Sequence, residues 1–146
     1  MLETLVQTRD TLALLPIRLA LGAIFIGHGG QKLFGWFGGY GPKGTIGYFQ
    51  QALGVPPALT VLAMLAEFFG GLGVLLGFLT RPAAAGIIVV MLVALAKVHW
   101  DHGFFLNWEL KPERGHGIEM NLALIGMALT LLVAGAGAFS VDRLLR

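Results

Sequence analysis

The sequence predicts an all-α integral membrane protein, a bundle of four transmembrane helices with a short interfacial helix between the first and the second. Three observations carry this expectation. Hydrophobic residues make up 56% of the 146-residue chain and charged residues only 12%, about half the charged share of a soluble domain. A chain this short cannot hide so much apolar surface in an aqueous core, because small domains leave a large fraction of their surface wet. Four stretches, 11–33, 58–79, 82–99 and 118–139, come close to the roughly 20 apolar residues needed to cross a bilayer core.

The first stretch does not read as a cleaved signal, since Glu3 and Asp10 sit where a basic region would be and Arg18 interrupts the apolar run. It is expected to stay. In the loop that follows, Thr45 can cap a short helix whose Ile46, Phe49 and Leu53 share one face before Gly54 and Pro56 stop it, a helix suited to lying flat in the interface. The second and third spans are joined only by Thr80 and Arg81, with Pro82 opening the third where its missing N–H costs nothing. That is a tight antiparallel hairpin. Four spans put both termini on one side and the two long connections, 34–57 and 100–117, on the other. Trp36, Phe37, Tyr40, Tyr48, Trp100 and Trp108 all fall on the long-loop side, where amphipathic rings anchor at headgroup level. Arg9, Arg81, Arg143 and Arg146 on the terminal side lean the orientation toward cytoplasmic termini. Residues 1–146 thus read as one transmembrane domain.

Composition also removes functions. The net charge of +2 comes from scattered Lys and Arg with no basic run, so nucleic acid is not an expected partner. The absence of cysteine rules out disulfides, thiolate nucleophiles and Cys-ligated metals. The glycine-rich stretch 27–42 lacks the Gly-Lys-Ser/Thr of a phosphate loop and any preceding strand.

Ionisable residues inside spans are costly, face the bundle interior and mark candidate sites. On the first helix Arg18, Gly22, Phe25, Gly29 and Lys32 fall on one stripe, with His28 one turn before Lys32. On the second, Glu67 shares its face with Ala63, Gly70, Gly71 and Val74, small residues that admit a close neighbour. Counted from the terminal side, Arg18 lies about 10 Å deep and Glu67 about 18 Å deep, a gap an arginine can bridge, so a structural Arg18–Glu67 ion pair is expected. On the fourth helix Glu119, Leu122, Gly126, Thr130, Val133 and Gly137 suggest an inward stripe. All four histidines, His28, His99, His102 and His116, collect on the long-loop side with Lys32, Lys97 and Glu119. His99-x-x-His102 and His116-x-x-Glu119 have the spacing of bundle metal sites. With no carboxylate placed to be shared, no metal is expected. The cluster can be a solvated or headgroup-facing group of histidines, or a pocket for a lipophilic molecule with a polar head, met by His28, Lys32, His99 and Glu119, with Arg18 and Glu67 also in its lining. A quinone suits it, because its carbonyls need donors and its reduction needs protons.

The same residues carry a family resemblance over nearly the whole chain. The run Arg18-Leu19-Ala20-Leu21-Gly22, then Phe25, His28-Gly29 and Gln31-Lys32-Leu33-Phe34-Gly35, resembles the opening pattern of the DoxX family. Glu67-Phe68-Phe69-Gly70-Gly71 through Gly77-Phe78-Leu79-Thr80-Arg81 is similar to its second helix, and His99 through His102-Gly103-Phe104-Phe105 and Glu119 are similar to its later helix ends. The tail from Gly135 to Asp142 also resembles the family's, with Ala136 where members often carry Pro. The resemblance implies a four-helix protein of the bacterial cytoplasmic membrane, akin to DoxD-like, quinone-reducing thiosulfate oxidoreductase subunits. It implies a redox-linked membrane subunit with a bound quinone as its cofactor, or alternatively a non-enzymatic scaffold for a soluble or membrane redox protein. Whether the chain is itself an oxidoreductase the sequence does not decide, and a homo-oligomer is compatible with it.

Overall fold

The computed structural model describes residues 2–146 and is all-helical. A short helix α1 (Leu2–Val6) precedes α2 (Leu15–Phe34), α3 (Gly41–Leu53), α4 (Pro57–Leu76), α5 (Thr80–Ala94), α6 (Glu119–Ala134) and a final short α7 (Val141–Leu145). Beyond α5 the chain continues through a π turn, Leu95–His99, and a 3-10 turn, Trp100–His102. Two helical stretches, Pro57–Leu76 and Thr80–His102, are long and apolar enough to cross a membrane, and α6 is apolar but shorter.

Local sequence sets the helix ends. Pro lies in the first turn of α2, α3 and α4, where its fixed φ suits a helix start. The same three helices stop at Gly35, Gly54 and Gly77, each left-handed with φ between 66° and 71°. The α4–α5 connection is as tight as the sequence suggests, and α3 spans the first long loop, starting at Gly41-Pro42 rather than at Thr45. Thr45 therefore does not cap α3. It lies inside the helix, buried, with its hydroxyl unpartnered.

α2 and α4 form the densest contact in the molecule because glycines let their backbones touch. A Cβ on Gly29 would lie 2.6 Å from the Phe68 Cα, and one on Gly71 would lie 2.7 Å from the Ile26 nitrogen. The core then extends to α5 and α6 through Leu21, Phe25, Val74, Ile87, Ala128 and Leu131. The inward face of α6 is Asn121, Leu124, Ala128 and Leu131. The expected stripe through Leu122, Gly126, Thr130 and Val133 instead faces outward, with Val133 69% exposed and open space beside Gly126. α6 is apolar nearly all round, so periodicity gives it no direction, and Gly126, which suggested close packing, has nothing against it.

Three helices are shorter than expected, α4 by ending at Leu76 rather than at residue 79, and the other two by more. α2 begins at Leu15 rather than at residue 11, and α6 stops at Ala134 rather than at residue 139. The freed residues cross one another at the terminal end. Arg9 N–H donates to the Ala134 carbonyl, Ala138 N–H to that of Thr11, and Gly137 N–H to the Thr8 hydroxyl. Gly135 and Gly137, with φ near 80°, let the tail turn tightly there.

Candidate functional site

Arg18 lies at the terminal end, where the fold uses it as a clasp. Buried to 1% exposure, its guanidinium donates from Nε to the Val74 carbonyl, from Nη1 to Ala136 and Ala138, and from Nη2 to Leu75 and Phe139, at 2.9 to 3.2 Å. Five donors in a rigid fork meet five carbonyls. Val74 and Leu75 belong to the last turn of α4, whose carbonyls lack the regular i→i+4 helical partners and carry the negative end of the helix dipole. The expected Arg18–Glu67 pair is therefore not formed. Arg18 faces Gly77 across the α2–α4 contact, while Glu67 lies more than two turns further along α4.

Glu67 pairs instead with Lys32, Nζ to Oε2, at 2.5 Å. Lys32 sits fourteen residues after Arg18 on the same helix, about 21 Å along its axis. The glycine contacts fix this register, since Gly29 meets Phe68 and the next inward turn of α2 brings Lys32 to Glu67. The carboxylate is nearly closed off, its side chain 5% exposed against 22% for that of Lys32. A buried carboxylate held this way needs its cation.

Beside this pair opens a cavity of about 960 Å³ between α2, α4, α5, α6 and the end of α3. Its walls are apolar, among them Phe25, Leu62, Val90 and Leu124. Its polar lining comes from His28, Lys32, Glu67, Lys97, His99 and His116, with Asn121 behind them. Four of the six residues expected at the site, His28, Lys32, Glu67 and His99, thus come together. The other two do not: Arg18 is engaged at the opposite end, and Glu119, at the start of α6, lies outside the lining.

Lys97, His116 and Asn121 complete the lining beyond that expectation. Lys97 and His99 reach it because the π turn re-aims the end of α5, a device often found at functional positions. Asn121 is 4% exposed and donates only weakly, at 3.5 Å to the Met91 carbonyl and 3.8 Å to the Met91 sulfur. Its place at the start of the fourth helix, on the long-loop side with Glu119, is the one the sequence suggests.

The loop 103–117 ties two of the histidines together. Asn107 is buried and its amide holds the carbonyls of Lys111 and Arg114 at 2.8 and 2.6 Å. Its own N–H donates to Nδ1 of His116 at 3.1 Å, and the His116 carbonyl accepts from Nδ1 of His99 at 2.8 Å. The aromatic rings expected at this end are exposed, Phe37, Tyr40 and Trp108 most of all.

Comparison with known proteins now places the chain. The DoxX family model matches residues 13–100, from the start of α2 to the end of the π turn. The chain belongs to the DoxX family. The DoxX match takes in Arg18, His28, Lys32, Glu67 and His99, but not His116 or Asn121. The inner membrane protein YqjF of Escherichia coli is 32% identical over 136 residues, 93% of this chain and 94% of the relative. The inner membrane protein YphA of the same organism is 31% identical, covering 89% of this chain and 88% of its own. An uncharacterized membrane protein of Mycobacterium tuberculosis, Rv3486, is 33% identical over 87% of this chain and 77% of the relative. No solved structure matches. The chain is accordingly a DoxX-family membrane protein, and its two Escherichia coli relatives support the bacterial inner membrane as its location.

Proposed function

We propose that the chain crosses the inner membrane with α2, α4, the α5 run and α6 as a four-helix bundle, its termini cytoplasmic. In the cavity it holds a lipophilic molecule with a polar, quinone-like head. The observation that carries this reading is the cavity itself. Its size is that of sites that enclose a small organic ligand. Its apolar walls suit a ring and tail, and its polar lining mixes donors such as Lys97 with acceptors such as Glu67. The outward apolar side chains of Phe69, Leu92 and Val133, each more than 50% exposed, suit lipid. Quinone chemistry fits the residues present, because a bound quinone would supply electron transfer while Lys32, Glu67 and the imidazoles orient its oxygens and hold protons beside them. The chain would then serve as a redox-linked membrane subunit.

The test is mass spectrometry of lipophilic molecules extracted from gently purified protein, together with titration of decylubiquinone into protein in nanodiscs. Co-purified quinone, and a Glu67→Gln or His99→Ala variant that folds but binds more weakly, is the expected result. Unchanged affinity in both variants would sink the reading.

One observation favours a second reading, a scaffold for a redox protein. The loop 103–117 is fastened by Asn107 yet leaves Trp108 and Leu110 75% exposed. A partner recovered from native membranes with no bound small molecule would select this alternative.

A further inference from the structure

The loop 103–117 does more than close one end of the cavity. A backbone carbonyl can only accept a hydrogen bond and a backbone N–H can only donate one. Nδ1 of His99 must therefore carry a proton to reach the His116 carbonyl at 2.8 Å. In the neutral ring this leaves Nε2 of His99 as a bare acceptor. Nδ1 of His116 must instead be unprotonated to accept from the Asn107 N–H at 3.1 Å, which puts the proton of its neutral ring on Nε2 as a donor. Both residues line the cavity, and in each the Nδ1 side is spent on the loop.

We infer that the loop fixes His99 and His116 in opposite tautomers, so that the cavity recognises a head group carrying both a hydroxyl donor and an oxygen acceptor. This rests on the ligand-binding reading above and narrows it. Such a head is an aromatic ring bearing a hydroxyl, in the form of a phenol or a quinol, with a second oxygen elsewhere on it. A head with carbonyls alone would satisfy His116 but leave the acceptor of His99 facing an oxygen lone pair. Two neighbouring groups do not undo the preference. Lys32 gives one of its three N–H groups to Glu67, and both it and Lys97 can only donate, so neither supplies an acceptor for the hydroxyl, nor is either set by the loop to cap the bare Nε2 of His99. The same arrangement argues against a metal ion at this pair, because the one lone pair of neutral His116 is already engaged by Asn107.

The experiment uses redox-inert probes that differ in whether one oxygen carries a proton or a methyl group. Octyl 4-hydroxybenzoate has an apolar tail, an ester carbonyl and a phenol, and octyl 4-methoxybenzoate has the same skeleton with the hydroxyl methylated. Both are titrated at neutral pH into full-length protein in nanodiscs, with decylubiquinone alongside. The wild type should bind the phenol about fivefold to tenfold more tightly than its ether, the scale of one hydrogen bond that is otherwise left unmade. His99→Asn should bring the two within about twofold, because the Asn amide can still donate to the His116 carbonyl but offers nothing in place of Nε2. Equal response to the two esters, or a preference that survives in His99→Asn, overturns the inference while decylubiquinone binding still supports the broader reading. Failure of all three probes to bind removes both.

Discussion

Replacing Arg18 with methionine keeps the apolar stem and removes five hydrogen bonds at once. Three of the acceptors, the carbonyls of Val74, Ala136 and Ala138, are bonded in buried surroundings. Those of Leu75 and Phe139 are partly buried and can find other donors. Val74 also keeps a second donor, the Gly77 N–H at 3.2 Å. A buried carbonyl stripped of its partner costs about 1 to 3 kcal/mol, so with Ala136 and Ala138 left bare Arg18→Met should lose about 2 to 6 kcal/mol in total. Arg18→Lys keeps the charge but offers three donors from one point, which cannot span the α4 end and the tail together, and should lose about 2 kcal/mol. Reversible unfolding in mixed SDS micelles, followed by circular dichroism, measures both. The decisive step is a double-mutant cycle with Glu67→Gln. The two sites share no partner and lie well beyond contact distance, so their effects should add to within about 0.5 kcal/mol. A coupling above about 1 kcal/mol, or a loss below about 1 kcal/mol for Arg18→Met, would refute the clasp and revive an Arg18–Glu67 pair.

Further outcomes follow from the geometry. Lys32→Met leaves the Glu67 carboxylate buried without its cation and should cost about 3 kcal/mol, much of it recovered in the Lys32→Met/Glu67→Gln double variant; the same unfolding assay decides. Gly29→Leu drives a side chain into the Phe68 backbone, 2.6 Å from where its Cβ would stand, and should abolish monodisperse expression, whereas Gly126→Leu, with open space beside it, should leave the elution profile unchanged. Asn107→Ala should raise hydrogen exchange and proteolysis across 103–117 by at least about tenfold, the loss of two or more buried hydrogen bonds, while exchange in α2 and α4 stays as it was.

What the sequence made legible is what side-chain types alone decide. Glycines spaced on α2 and α4 foretold the close contact. The aromatic residues foretold the long-loop end, and charged residues inside apolar runs foretold His28, Lys32, Glu67 and His99 at one cavity. The misses share a cause as well. Arg18 binds backbone carbonyls, which every residue has and no sequence pattern displays, so the only visible anion at a reachable depth, Glu67, drew the assignment. The buried face of α6 was unreadable because an apolar helix carries no polar side to mark its outside. Asp142, 1% exposed and accepting from the Leu79 and Thr80 N–H groups at 2.7 and 2.9 Å, caps α5 from more than sixty residues away, a distance at which local capping rules are silent.

The Arg18 clasp also bears on how the protein is made. One of its acceptors lies 118 residues downstream in the chain, and those at Ala138 and Phe139 lie further still. During synthesis α2 therefore emerges long before the residues that satisfy its guanidinium, and α4 emerges in between. In that interval Arg18 can draw only on water or other polar groups for its hydrogen bonds. All five bonds can close together only after residues 136–139 have emerged, so the clasp is among the later long-range contacts the chain can complete.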